Sequence, residues 1–508
     1  MLFVNNPKEP IFNSFDDLKD NEAINNWFDL SIYDESTLSK LAQELENMLG
    51  KIPDSYFTSH PFDFKHFQSL YKQPSFNDID DIEWFGNFFN SSMQLKKRYS
   101  LAILAFFDFS FLNYIIDENP NVSTSRSLFK KSSDSRLSSY YPIVSKFKML
   151  LLRHLKNLPS DAEIIRFLEE NDKYAKACGL SPLSIPHESQ VNRFKNWGMT
   201  PLQLTAVFCF VVAVAIIHDI VDSYISATDS SILESHANPF HKNLIGNCEK
   251  CRFSSTCTNP EWVSADVNAS YTAKNDEIFY GHKVHSIIDS ISTIVMGLFV
   301  STASVHDNPL LIPLLKVVDK IVKFRFQKYT ADKGYNDKDN HHFIVEQLNA
   351  DPVIPHREKT KSSPSADLFI VKDHVLHCSR VNLPLRPNGS DKQQNAIMFR
   401  CPNGHDNFSC PYADKCLKPN QNYKTFKIQI KDDLRISGTT STPKGSLQWK
   451  NDFNCRTSVE RLYSDNKRVR QLESFFNTNL TSIFSHVVFT FMSHNLVVIF
   501  NHFRDTLL

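Results

Sequence analysis

The spacing of apolar residues changes along the chain, and the changes mark out its parts. As far as about residue 121 the pattern is mostly helical, with phenylalanine-rich clusters such as "DIEWFGNFFN" and no chemical motif. The run "NVSTSRSLFKKSSDSRLSSYY" breaks it: serine-rich and without periodicity, it predicts a linker over 122–139. Helical spacing returns over 140–222. Ser160 and Glu163 form a capping box for "DAEIIRFLEEN", and "IPHESQVNRFKNWG" opens a further helix after Pro186. Short helices with a basic, polar last member suit a helix-turn-helix-like DNA contact, although a plain helical bundle carries the same pattern. The most apolar stretch, Leu204 to Ile217, has 14 residues and is ended by His218 and Asp219. A bilayer needs about 20, so this stretch predicts a buried helix and no membrane span.

After residue 222 the chain turns β-prone. "SYISATDSSI" predicts a strand ending at Asp229, and "IFYGHKVHSIID" with "STIVMGLFVST" a strand pair. "DNPLLIPLLKVVDKIVK" is helical, "QKYTADKGYND" a strand ending at Asp332, "KDNHHFIVEQLN" a helix and "DPVIPHR" another strand. Hairpin strands followed by alternating helices and strands predict an α/β domain over 223–360, a mixed sheet covered by helices. A cysteine-bearing insertion over 361–445 interrupts it, and 446–508 closes it with helices. In that last part, Phe453 to Phe476 reads as one amphipathic helix. Val459, Leu462, Val469, Leu472 and Phe476 gather on one side; Arg456, Glu460 and Lys467, at i, i+4 and i+11, form a stripe on the other. Taken alone, the stripe is a solvated face with an Arg/Glu pair worth about 0.3 kcal/mol.

Composition narrows the function classes. The 508 residues are 41% apolar, enough to fill sizeable cores. Lys plus Arg (56) equals Asp plus Glu (56), so any polyanion must be met by local patches such as "LKKR", "FKK" and "NKRVR". With 12 glycines and no GxGxxG or GxxxxGK[ST], a Gly-rich nucleotide loop is excluded. The N-terminus has no basic region followed by an apolar run, so a cytosolic address is expected. In that compartment the ten cysteines are thiols or metal ligands rather than disulfides.

Asp229 and Asp332 at strand ends and Glu460 on a helix are the residue types that a two-metal phosphoryl-transfer site needs, with carboxylates holding Mg²⁺ ions. A strand-end aspartate can equally just cap a turn. The run "FNCRTSVERLYSDNK" resembles the Y-x2-R-x3-E-x6-K signature of bacterial and archaeal insertion-sequence transposases of the DDE type, with Phe453 in the tyrosine position. "ISATDSS", "FYGHKVHSIIDS", "STASVHDNPLLIPLL" and "YTADKGYND" resemble further segments of that family in the same order, and 140–200 its helical N-terminal domain.

The resemblance implies an RNase H-like fold and cut-and-paste strand transfer at terminal inverted repeats. Asp229, Asp332 and Glu460 would hold two Mg²⁺ ions, with Mn²⁺ as a substitute. Arg456 and Lys467, with Arg461, Arg468 and Arg470 along the same segment, would contact DNA phosphates. Double-stranded DNA of the element ends and target would be the partner, a homodimer the synaptic form, and the nucleoid the place of action. Asp266 in "WVSADVNASYT" rivals Asp229 as first carboxylate; Asp229 is preferred because its strand precedes the hairpin. Two other readings share the fold: a transposase-derived DNA-binding protein that no longer cuts, and a metal-dependent nuclease that cleaves without joining.

Two cysteine groups offer zinc ligands, although neither has the tidy spacing of two CxxC pairs. One is Cys248, Cys251 and Cys257, with His236 and His241 upstream; the other is Cys378, Cys401, Cys410 and Cys416, with His405. The second matches a cysteine-containing insertion of the same transposase branch. The alternative for both is reduced, partly buried thiols.

Overall fold

A computed structural model describes residues 2–4, 35–62, 99–116, 141–237, 266, 268–274, 277–355, 369–372, 375–391, 393–394, 396–429, 438–439, 441–475 and 480–504. The serine-rich linker, the "LKKR" and "FKK" patches, Cys248, Cys251, Cys257, His241 and Phe476 lie outside the described residues.

The N-terminal part is helical: α1 (Glu35–Leu49), α2 (Tyr99–Phe106), α3 (Ile143–Leu155), α4 (Asp161–Glu170), α5 (Asp172–Ala177), α6 (Glu188–Trp197) and α7 (Pro201–Ile217). The predicted cap at Ser160 forms through its side chain, and α7 has a capping box that sequence reasoning did not name. Ser160 accepts from the Glu163 amide at α4, and Thr200 and Gln203 close a reciprocal capping box at α7, where Pro201 takes the first position. Helix α7 is apolar all round and buried almost throughout, as a helix inside a protein core must be. Phe111 and Phe210 stack at 3.9 Å in that core.

The sheet forms next. Strand β1 (Leu2–Val4) lies beside β5; β2 (Ile225–Glu234), β3 (Ser270–Lys274), β4 (Glu277–Asp289), β5 (Val295–Thr302), β6 (Lys328–Ala331) and β7 (Asp351–Val353) follow. The order is β1-β5-β4-β2-β6-β7, with β3 on β4. Strands β2, β4 and β5 are antiparallel neighbours, whereas β6 and β7 run parallel to β2. Between them lie α8 (Leu311–Val317), continued as a π-turn through Val322, and α9 (Lys338–His342). A hairpin joined to a parallel half by helical crossovers is the RNase H-like mixed sheet that was expected.

The insertion has a separate small core around Leu376, Leu385, Phe399 and Ile428. It holds the hairpin β8 (Phe369–Lys372) and β9 (Val375–Cys378), and the sheet β10 (Arg386–Asp391), β11 (Ala396–Arg400) and β12 (Thr425–Gln429). Helices α10 (Leu447–Asn454), α11 (Thr457–Val469) and α12 (Leu480–Phe503) follow.

Helix α12 is long and apolar enough to cross a membrane, yet 89% of its most apolar window is buried in the protein. Its polar residues show why it belongs there. Thr490 and Ser493 return their hydroxyls to carbonyls one turn back, and Asn495 bonds both backbone groups of Val295 at the start of β5.

Candidate active site

Two adjacent parallel strands carry the aspartates. Thr228 of β2 pairs with Ala331 of β6, so Asp229 and Asp332, the next residue on each, stand side by side on strands about 4.8 Å apart. Asp229 does not end its strand as the pattern predicted. Strand β2 continues to Glu234 because Ser230 to Glu234 keep their pairing with β4. Asp332 does follow the last residue of β6, and its Oδ1 accepts from the Gly334 amide at 2.7 Å. A Cβ on Gly334 would lie 2.7 Å from that same oxygen, which explains a glycine two residues after this carboxylate.

Glu460 sits in the first turn of α11. The single helix expected from Phe453 to Phe476 is two helices. The Thr457 hydroxyl takes the Asn454 carbonyl at 2.9 Å, which closes α10 and lets α11 start after Arg456. At its far end α11 stops at Val469, and Gln471 turns the chain with φ of 63°. Leu472 therefore packs from beyond the helix. Val459 and Leu462 are buried as expected, Tyr463 joins them, and Val469 is only half-buried.

Arg456 joins the two halves. Its Nη1 lies 2.7 Å from Glu460 Oε1 and 3.6 Å from Asp229 Oδ2. The guanidinium also rests over the Phe453 ring at 5.6 Å, and that ring stacks on Trp449 at 5.3 Å, 11° from parallel. Phe453, in the tyrosine position of the signature, thus supports Arg456 with its ring, without a hydroxyl. Tyr463 ties α11 to the sheet: its hydroxyl donates toward the carbonyls of Asp229 (3.0 Å) and Val284 (3.2 Å) and meets Ser286 Oγ at 2.9 Å.

The electrostatics are those of crowded carboxylates. Burial pushes Asp229 up to about 7; the Ser230 amide opposes this, Asp332 and Asp307 add repulsion, and Arg456 partly offsets it. Tyr335 is fully enclosed and held well above its ordinary value by burial and by Asp307, Asp229 and Asp332; its hydroxyl has no partner among the described residues. Asp307 is itself held by Lys283 Nζ at 3.2 Å, with His285 Nδ1 at 3.7 Å. Sequence reasoning left these residues aside. The only signals were the GHKVH and VHD segments, whose roles are invisible until β4 and the turn after β5 meet.

Other expected members fall elsewhere. Asp266 is fully buried, accepting from Ser235 Oγ at 2.7 Å and paired with His282 Nε2 at 2.9 Å, in a cluster of its own. Arg461 and Arg468 are exposed on α11, Arg468 pairing with Asp465 at 3.0 Å, and Lys467 pairs with Glu473 beyond the helix. Arg470, expected to reach DNA, is 7% exposed, because the chain turns inward after Val469. Its carbonyl and that of Gln471 are bonded by the rings of His154 on α3 and His486 on α12.

Among the described residues, no three His, Cys, Asp or Glu side chains converge closely enough to hold a metal ion. The four cysteines expected as zinc ligands, Cys378, Cys401, Cys410 and Cys416, are free thiols here. Cys378 is part of the apolar core of the insertion, and Cys401 Sγ accepts from the Lys424 amide. For Asp229, Asp332 and Glu460, Arg456 lies between two of the three. The donor set nonetheless suits a hard divalent cation: oxygen ligands from three elements, repulsion that raises Asp229, and an unpartnered Tyr335 hydroxyl facing the same charges.

Comparison with known proteins agrees with this geometry. The family model described as "Transposase DDE domain" matches residues 225–496, and one described as a transposase domain matches residues 108–197. No curated protein matches the chain. Among solved structures, a cryo-EM structure of the piggyBac transposase synaptic complex with hairpin DNA is 11% identical, with 80% of this chain and 79% of that chain covered. Its TM-score of 0.36 is too low to carry any conclusion.

Proposed function

The chain belongs to the DDE transposase family, and on that premise we propose that it cuts and joins DNA at the terminal inverted repeats of an insertion sequence, with Asp229, Asp332 and Glu460 as its catalytic carboxylates. The observation that carries this reading is the Arg456 bridge, which draws Glu460 from a late helix to Asp229 on the first long strand of the sheet. The register of β2 and β6 adds Asp332 beside them.

Mg²⁺ held by the three carboxylates would supply the Lewis acidity for phosphoryl transfer. The protein's own groups have separate tasks. Asp229 must give up the proton that burial favours, and a cation beside it lowers that cost. Arg456 neutralises Asp229 and Glu460 in the free protein and, fork-shaped, is suited to a DNA phosphate once those carboxylates turn elsewhere. Arg461, Arg468 and Lys467 supply sequence-independent phosphate contacts along α11. Arg470, being buried, has no such part. Helices α3 to α6 supply the end-recognition surface, and two copies of the chain bring the two ends together.

Excision of the element from its flanking DNA, wild type against Glu460→Gln, tests the proposal. The expected result is loss of excision with DNA binding kept. Excision by the variant would remove Glu460 from catalysis. A wild type that binds its flanks and never nicks them would make the chain a transposase-derived binding protein, and nicking without joining would make it a nuclease.

A further inference from the structure

The insertion concentrates positive charge. Residues 375–429 contain eight Lys and Arg against three Asp, a net +5 inside a chain whose total is zero. The sheet β10-β11-β12 sorts that charge onto one face. Ile397 and Phe399 on β11 and Phe426 and Ile428 on β12 point into the small core, so the alternate positions Met398, Arg400, Thr425 and Lys427 point away from it. The register sets Arg386 opposite Arg400, Arg400 opposite Thr425, and Met398 opposite Lys427. Each strand thus contributes one cation, Arg386, Arg400 or Lys427, to the outer face. At its margin Tyr423 is 37% exposed and lies under the Arg400 guanidinium at 5.7 Å.

We propose that this outer face is a second DNA-binding surface, taking the phosphate backbone of a duplex held away from the carboxylates. Charge complementarity names the occupant. Arginine forks match phosphate oxygens, and cations spread over three adjacent strands suit a row of phosphates rather than a single anion. The two acidic neighbours do not block it. Asp406 pairs with Arg386 at 2.6 Å and Asp391 with Lys427 at 2.5 Å, and both pairs are solvent-exposed, where exchange of one anion for another costs little. The proposal rests on the transposase reading and says which part of the chain, beyond α11, holds the DNA.

The test uses the full-length protein and a short duplex of random sequence, with binding followed by fluorescence anisotropy over a salt series. Each phosphate contact contributes about 0.9 to the slope of log affinity against log salt. The variant Arg386→Gln/Arg400→Gln/Lys427→Gln is expected to lower that slope by about 2 to 3. A control, Lys40→Gln on α1, should keep it. If the triple variant does not fold, Arg400→Gln alone should lower the slope by about 1. A variant with the wild-type slope and affinity overturns the proposal and leaves the transposase reading intact; an acidic protein would then be the partner of this face. A wild type that fails to bind duplex at all removes the transposase reading itself.

Discussion

Acid should loosen this protein through its buried histidines, two of which hold the chain just beyond α11 and one the turn between β4 and β5. His154, His486 and His494 are buried; burial lowers the last two to about 3, and burial with neighbouring positive charge holds His154 well below its ordinary value. All three are therefore neutral in the fold, and each is bonded through one ring nitrogen to a backbone carbonyl, of Arg470, Gln471 and Thr293. Because the folded values lie below the unfolded 6.5, the stability they represent is present above pH 6.5 and lost as pH falls. At pH 5 an unfolded histidine gains about 2 kcal/mol by protonation that His486, His494 and His285, which burial lowers to about 4, cannot match, so these three cost about 6 kcal/mol, and His154 acts in the same direction. Asp229 works the other way. Raised to about 7, it returns about 2.5 kcal/mol between pH 8 and pH 5. The net loss of about 3 to 4 kcal/mol is a large part of a typical stability of about 5 to 15 kcal/mol. Urea unfolding of the metal-free protein at pH 8, 7, 6 and 5 measures it. The midpoint should fall steadily below pH 6.5, and His486→Gln should remove about a third of the histidine contribution. A midpoint unchanged from pH 7 to pH 5 would refute the reasoning.

Substitutions at three positions examine the site more directly. Gly334→Ala places a methyl group 2.7 Å from Asp332 Oδ1 and should cost about 1 to 3 kcal/mol in thermal unfolding, with DNA cleavage lost and DNA binding kept. Tyr463→Phe removes the hydroxyl shared by Ser286, Asp229 and Val284; a loss of about 1 to 2 kcal/mol in the same assay is expected, and an unchanged melting temperature would show that the hydroxyl does not tie α11 to the sheet. Phe453→Tyr should keep cleavage, whereas Phe453→Leu loses the platform under Arg456, worth about 0.5 to 1 kcal/mol, and should slow cleavage about two- to fivefold. Equal rates for Leu and Tyr at this position would remove the platform role.

Much of this arrangement was legible in the residues themselves. The hairpin of β4 and β5, the strand before Asp332, the helical half and its caps all follow from local patterning, because each is decided by residues close in sequence. What patterning missed depends on distant partners. Strand β2 runs past Asp229 only because β4 is long enough to pair with it as far as Glu234. At the break between α10 and α11 the hydroxyls of Thr457 and Ser458 take the Asn454 and Cys455 carbonyls, in a stretch whose apolar spacing carries on unbroken. Arg470 looked like one more cation in "NKRVR", and its burial is set by histidines more than three hundred positions before it and about sixteen after it.

The stripe of Arg456, Glu460 and Lys467 divides once the chain folds. Arg456 turns toward the carboxylates of the sheet, while Lys467 turns to Glu473 at the outer end of the helix. Arg456 meets Asp229 and Glu460, Asp332 and Asp307 press on Asp229, and among the described residues Lys283 is a second cation of this group, on Asp307. Four acidic groups against two basic ones leave the site with excess negative charge, which repels a phosphate backbone at short range. The burial of Asp229, with its raised proton affinity, is one way the free protein reduces that excess. Added cations are another, and they also remove the repulsion that DNA would meet. Cation uptake and DNA approach at this site are therefore linked: whichever comes first lowers the cost of the other. On the proposed function, the insertion face would hold a duplex without meeting that repulsion, so the carboxylates would need to accept DNA only after it is already bound nearby.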